Sequence, residues 1–159
     1  MEQATPDLQQ ELETQPFELP EQEAYLNLVH THSVLESEFA RLFKQHGLSQ
    51  PLYNVLKVVI RAGSQGVPSQ SIAQYMLAND PDITRLVDRL EKIGLVTRER
   101  GTQDRRLVWV KITDDGCRQI EALEALVKAL HKRQLSHMSA AKLAQLNQLL
   151  VEARHPPMP

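Results

Sequence analysis

Residues 81–116, PDITRLVDRLEKIGLVTRERGTQDRRLVWVKITDDG, combine two different hydrophobic periods in one short stretch, and no single regular element satisfies both. In the first part Ile83, Leu86, Val87, Leu90 and Ile93 recur at steps of three and four, which gathers them on one stripe of a helix. The other face carries Thr84, Arg85, Asp88, Arg89 and Lys92. Asp80 is a favoured N-cap, and Pro81 suits a first helical turn, where its missing N–H takes nothing from the helix. Gly94 supplies the stop. Leu95 to Arg100 then reads as a strand. Val108, Val110 and Ile112 alternate with Leu107, Trp109 and Lys111, the period of a half-buried second strand, with Gly101 to Asp104 as the turn between them. Trp109 falls on the outward side, where packing against a neighbouring element is expected.

Upstream, Ser69 can cap a helix that holds Ile72, Ala73, Met76 and Leu77, and the break Ala78 to Asp80 follows. Helix, tight turn, helix and basic hairpin in that order make a winged helix-turn-helix, an arrangement that reads one face of a DNA duplex. DNA contacts are expected from Ser69, Gln70 and Ser71 on the bracing helix and from Pro81, Asp82, Thr84, Arg85 and Arg89 on the recognition helix. Arg98, Arg100, Arg105 and Arg106 on the wing complete the basic set. Asp82 suits a poorer role beside phosphate; it accepts from a cytosine amine or holds Arg85.

The two ends of the chain have a different pattern. Tyr25, Leu28, His32, Leu35, Phe39, Leu42 and His46 alternate steps of three and four between Glu21 and His46, a seam too narrow for a fully buried helix. Gly47 ends that helix, and Ser49 can cap a second one holding Leu52, Val55, Leu56, Val59 and Ile60. After the wing, Thr113 to Asp115 open a long helix with Ile120, Leu123, Leu126, Val127 and Leu130 on its apolar side. Ser139 starts a last helix bearing Leu143, Leu146, Leu149 and Leu150. Long helices with apolar seams at both ends point to a twofold dimer, whose two recognition helices would lie roughly 34–36 Å apart and meet a near-palindromic operator.

The expected fold is therefore mainly α (α+β): a winged helix-turn-helix with a two-stranded β-wing, flanked by N- and C-terminal dimerisation helices. Residues 1–19 form an acidic, poorly ordered extension, 20–48 and 114–155 the helical dimerisation region, and 49–113 the DNA-binding region.

The run from Ile83 to Gly116 resembles the signature segment of the multiple-antibiotic-resistance regulator (MarR) family, bacterial regulators that bind DNA as homodimers. Asp104 and Arg106 meet the family's Asp-x-Arg wing motif, and Ile112, Thr113 and Gly116 its Leu-Thr-x-x-Gly. The likeness extends more weakly over residues 20–154. It departs at Ala78-Asn79-Asp80, where helix-turn-helix turns commonly hold a glycine; Asn tolerates a left-handed backbone better than most residues. The resemblance implies a sequence-specific transcriptional regulator, a homodimeric repressor of double-stranded DNA with a palindromic operator. It places Arg106 in the minor groove with Asp104 orienting an arginine. It also implies relief by a small aromatic or phenolic acid lodged between the dimerisation helices and the winged domain, with His32, Phe39 and Tyr53 among the lining residues.

The formal charge of −2 argues against a DNA binder only as an average. Residues 1–24 hold seven acidic side chains and no Lys or Arg, so the rest of the chain has 18 basic against 13 acidic residues, net +5. Residues 95–111 alone have five against two, and local field steers a polyanion. One cysteine forms no intramolecular disulfide, and no stretch approaches the roughly 18 apolar residues of a membrane span, so the cytoplasm is expected and a membrane is not. The six histidines show no HExxH and no paired Cys/His spacing. No nucleophile elbow, P-loop or dinucleotide turn is present; no enzymatic activity, metal or cofactor is expected. Cys117, at a helix start beside Arg118, has the surroundings of a lowered thiol pKa, yet peroxide sensors of the resembling family carry their cysteine in the first helix, so a structural thiol is favoured. The competing readings are a winged-helix protein-interaction module, a thiol- or metal-responsive regulator of the same fold, and an enzyme using the histidines and Cys117.

Overall fold

The computed structural model describes residues 7–12, 16–76, 82–101 and 106–155. The chain forms two compact units, residues 1–50 and 51–159. Most of the described residues are helical, and three short strands form one antiparallel sheet.

In the first unit α1 (Leu8–Leu12) precedes α2 (Pro20–Gln45). The acidic extension thus has local structure of its own. Leu8 is buried, and Glu11 pairs with His30 of α2 at 3.3 Å. Helix α2 follows the expected bounds closely, but only the C-terminal part of its seam is covered. Phe39 is buried and stacks on Phe43, with ring centroids 6.1 Å apart, whereas Tyr25 and Leu28 remain 65% and 44% exposed.

The second unit starts from α3 (Gln50–Arg61), whose Leu52, Val55, Leu56 and Val59 are fully buried. Four such side chains on successive turns contribute on the order of 1.5–3 kcal/mol each through burial. The chain continues through β1 (Val67–Pro68) and a 3-10 helix, Ser69–Tyr75. The helix expected there is therefore shorter and tighter than its apolar spacing suggested, and Pro68 rather than Ser69 flanks it. Serine is a weaker helix former than the apolar residues around it, and Met76 already has an extended backbone. The turn expected at 78–80, Leu77 before it and Pro81 after it lie outside the described residues.

Helix α4 (Ile83–Lys92) buries Val87 and Leu90. Its cap is Asp82, whose carboxylate accepts from the Arg85 N–H at 3.1 Å, two residues beyond the Asp80 expected from sequence. Gly94, at φ 79°, reverses the chain as anticipated, and the Leu95 N–H donates back to the Leu90 carbonyl at 2.9 Å.

Strands β2 (Val96–Arg100) and β3 (Val108–Ile112) form the wing, but the sheet has a third member. Val67 and Pro68 pair with Val110 and Trp109, giving the order β1-β3-β2. A two-residue strand containing proline has too little pattern to be seen in sequence; β3 supplies its partner. The register sets Val96, Arg98 and Arg100 opposite Ile112, Val110 and Val108 on one face, and Thr97 and Glu99 opposite Lys111 and Trp109 on the other. Trp109 is half-buried on that outer face, opposite Pro68 as well.

Helices α5 (Asp114–Leu135) and α6 (Ala140–Arg154) begin where Thr113 and Ser139 cap them. Lys57 of α3 bonds Glu124 of α5, and Tyr53 lies beside the pair. The hydrogen bond and charge of Lys57, with the charge of Lys128, hold the Glu124 carboxyl below its ordinary range. Burial raises the Tyr53 phenol above 10.0; Lys57 opposes this and Glu124 adds to it.

Two predictions follow from this packing. A Cβ on Gly116 would collide with the Leu95 carbonyl oxygen and the Ile112 side chain, so Gly116→Ala should destabilise the fold by about 1–3 kcal/mol in chemical denaturation. Equal stability would show that the α5–β2 contact yields freely. A raised phenol pKa favours the protonated folded form, so the Tyr53 contribution to stability is complete below the unfolded value and is lost as pH rises through the folded one. Ultraviolet titration should show a late phenolate phase that Tyr53→Phe removes, and Glu124→Gln should move that phase to lower pH.

Candidate nucleic-acid interface

The exposed side of α4 carries Thr84, Arg85, Asp88, Arg89 and Lys92. That is the face opposite Val87 and Leu90, so burial of the apolar stripe determines which side chains face solvent. The Arg85 side chain is 85% exposed and makes a 3.3 Å ion pair with Asp82. One carboxylate thus caps the helix backbone and holds the arginine that follows it. Arg89 has no ion pair among the described residues.

Ser69 and Ser71 are half-buried and Gln70 is exposed on the 3-10 helix. On the wing, Arg100 and Arg106 are exposed at the two ends of the loop, which the Gly101 N–H closes onto the Leu107 carbonyl at 2.8 Å. Lys111 and Glu99 form a 2.6 Å cross-strand pair on the outer face. Pro81, Asp104 and Arg105 lie outside the described residues.

Arg98 stands apart from the other basic side chains. It sits on the inner face of the sheet, only 25% exposed, and its guanidinium meets Asp88 and Glu91 of α4, the latter at 3.4 Å. It also donates to the Thr84 carbonyl at 3.2 Å. Sequence reasoning grouped Arg98 with the DNA contacts and did not connect it with these carboxylates. The available signal was the pair Asp88 and Glu91, an acidic i, i+3 couple on an otherwise basic recognition helix.

The side chains named for an effector are distributed over both units. His32 is exposed and Phe39 buried on α2, and Tyr53 is buried on α3. Cys117 is half-buried, and its neighbour Arg118 is paired with Asp115. Among the described residues, no three His, Cys, Asp or Glu side chains are grouped to hold a metal ion, and no helix is long and apolar enough to cross a membrane. One cavity escaped the sequence reading. Val58, Arg61, Ala62, Gly66, Val67, Pro68 and Tyr75 line a groove of about 340 Å³ drawn from the end of α3, β1 and the 3-10 helix, whose proximity no periodicity records.

Comparison with known proteins agrees with this architecture. A family model described as transcriptional regulator SarA/Rot matches residues 38–123, more than half of the chain. The chain is 38% identical to a MarR transcription factor from Planctomyces limnophilus, over 85% of this chain and 98% of that one, with a TM-score of 0.67. CouR from Rhodococcus jostii, solved bound to p-coumaroyl-CoA, shares the fold at a TM-score of 0.71 and 24% identity, over 90% of this chain and 99% of that one. The HTH-type transcriptional repressor IacR of Pseudomonas putida is 27% identical over 128 residues, 80% of this chain and 75% of the relative. The solvent-facing arginines of α4 and the basic hairpin beside them thus stand in a known frame, and this chain belongs to the MarR family of winged helix-turn-helix transcriptional regulators.

Proposed function

We propose that this MarR-family regulator is a homodimeric repressor of a near-palindromic DNA operator, with α4 reading bases in the major groove and the wing following the flanking minor groove. The observation that carries this reading is the exposed Thr84, Arg85 and Arg89 face, held in one compact unit beside a hairpin with Arg100 and Arg106 at its loop. Arginine is suited to guanine edges because its planar fork gives two parallel hydrogen bonds. Ser69, Gln70 and Ser71 contact phosphate, and Pro81, Asp104 and Arg105 complete the surface at the helix start and wing tip. Asp82 positions Arg85 in this scheme. Residues 49–113 are the DNA-binding region, and the protein works in the cytoplasm as a regulator without catalysis.

Residues 20–48 and 114–155 make the dimer. Helix α6 has leucines at 143, 146, 149 and 150 and buries none of its residues, and α2 leaves Tyr25, Leu28, Val29 and Val34 exposed. Apolar faces of this size on two terminal helices call for a second copy. A small aromatic or phenolic acid relieves repression by favouring one spacing of the two DNA-binding regions. The acyl ligand of CouR and the repressor role of IacR support this reading. Such a ligand acts only through different affinities for the two spacings.

Genomic selection of bound fragments should return a twofold-symmetric motif. On that motif Arg85→Ala should cost about 1–3 kcal/mol and relax preference at one symmetric position in each half-site. Arg106→Ala should weaken binding more evenly and lower the slope of log K against log salt by roughly 1.8, for one phosphate per subunit. Wild-type behaviour of Arg106→Ala at every salt concentration would remove the wing from the interface. Sedimentation equilibrium checks the dimer surfaces: Leu28→Glu with Leu149→Glu should give a folded monomer, and an intact dimer would exclude these faces.

A further inference from the structure

We propose that Arg98 is a positioning residue: it fixes the recognition helix against the wing through Thr84, Asp88 and Glu91 and binds no phosphate itself. The proposal rests on the DNA-binding reading above and assigns a different role to one of its arginines.

Three separate acceptors on α4 meet this one guanidinium. The Thr84 carbonyl belongs to the first turn, Asp88 is one turn on, and Glu91 is three residues further. They span most of the helix along a single flank. Arginine can serve them together because its five N–H donors radiate from one rigid plane, whereas an ammonium is a compact point with three donors. The strand end of the contact is equally defined. Arg98 lies opposite Val110, which is fully buried, so its Cβ is fixed at the edge of the core.

Geometry also argues against a phosphate role. A side chain already shared among two carboxylates and a carbonyl would have to release them to reach DNA, leaving two uncompensated negative charges beside the polyanion. Engaged as it is, Arg98 offsets one of the two charges of Asp88 and Glu91 and fixes the rotation of α4 about its own axis. That rotation sets where Thr84 and Arg85 point, and displacements of about 1 Å are enough to spoil a bidentate base contact. Arg98 therefore contributes to discrimination between sequences more than to general affinity for DNA.

The test uses the full-length chain, the selected operator and a scrambled duplex of the same length. The Asp88→Asn, Glu91→Gln double variant is decisive because the two roles predict different ratios of operator to scrambled affinity. Both carboxylates are exposed, so the variant should fold normally, which thermal unfolding verifies. If Arg98 were a phosphate contact, removing two acidic groups and freeing the arginine would tighten binding to both duplexes and steepen the salt dependence. As a positioning residue it loses its anchors, and the ratio of operator to scrambled affinity should fall at least tenfold while the scrambled duplex binds as well as before or better. Arg98→Lys separates charge from geometry: lysine should reproduce the loss of discrimination, with a salt slope equal to the wild type. Restored discrimination in Arg98→Lys, or a double variant as selective as the wild type, overturns the proposal. Failure of the wild-type chain to prefer any duplex would instead strike at the DNA-binding reading, so the two failures are distinguishable.

Discussion

The winged unit depends on one threonine. The Thr113 hydroxyl donates to the Gly94 carbonyl at 2.7 Å and accepts from the Gly116 N–H at 3.0 Å, while its own N–H donates to the Leu95 carbonyl at 3.1 Å. These bonds join the end of α4, the approach to β2, the end of β3 and the first turn of α5. Only a hydroxyl is donor and acceptor at one atom, so an isosteric valine would fill the space without making either bond. Gly116 completes the junction, since any larger residue would push α5 away from the Leu95 backbone. The orientation of recognition helix, wing and C-terminal helix is therefore set together at one point.

Charge is organised around this frame by local pairing. Taken as a whole the chain is slightly acidic, but seven of its 20 acidic side chains lie in residues 1–24, and four more are committed to basic neighbours near the interface. Asp82 holds Arg85, Asp88 and Glu91 hold Arg98, and Glu99 holds Lys111. At solvent-exposed sites such pairs add little to stability, a median of about 0–1 kcal/mol. Their consequence is geometric. They fix long side chains, and they offset most of the carboxylate charge that would otherwise repel a polyanion at short range.

The apolar inventory is divided differently. Helix α3, the sheet and α4 bury the centres of their stripes, Leu52 to Val59, Val96 with Val110, and Val87 with Leu90, whereas α2 and α6 carry leucines, valines and a tyrosine in solvent. Helix amphipathicity usually ends in burial within the same chain. The long terminal helices are the part of this chain that best fits intermolecular packing, and in the proposed dimer they set the spacing of the two DNA-binding regions. Tyr53, Lys57 and Glu124 form the clearest polar link between α3, at the start of the winged unit, and α5, which leads to the terminal helices.

By itself the sequence determined the order of the long helices and the two wing strands, the ends of α2, the Gly94 stop, the Thr113 and Ser139 caps, and the membership of α4's two faces. Each of these follows from short-range chemistry: a period of 3.6 or 2, a capping oxygen, a residue tolerant of positive φ. Where local signals competed, only the structure decided. Asp80 and Asp82 are both good capping residues by type, and it is the Asp82 carboxylate that accepts from the first-turn Arg85 N–H. Val67–Pro68 has no strand pattern of its own and becomes a strand because β3 is beside it. The same limit applies to Arg98. Its seven-residue separation from Glu91 spans a helix end and a chain reversal, so tertiary folding alone could bring it against the recognition helix rather than leave it among the wing's solvent-facing arginines.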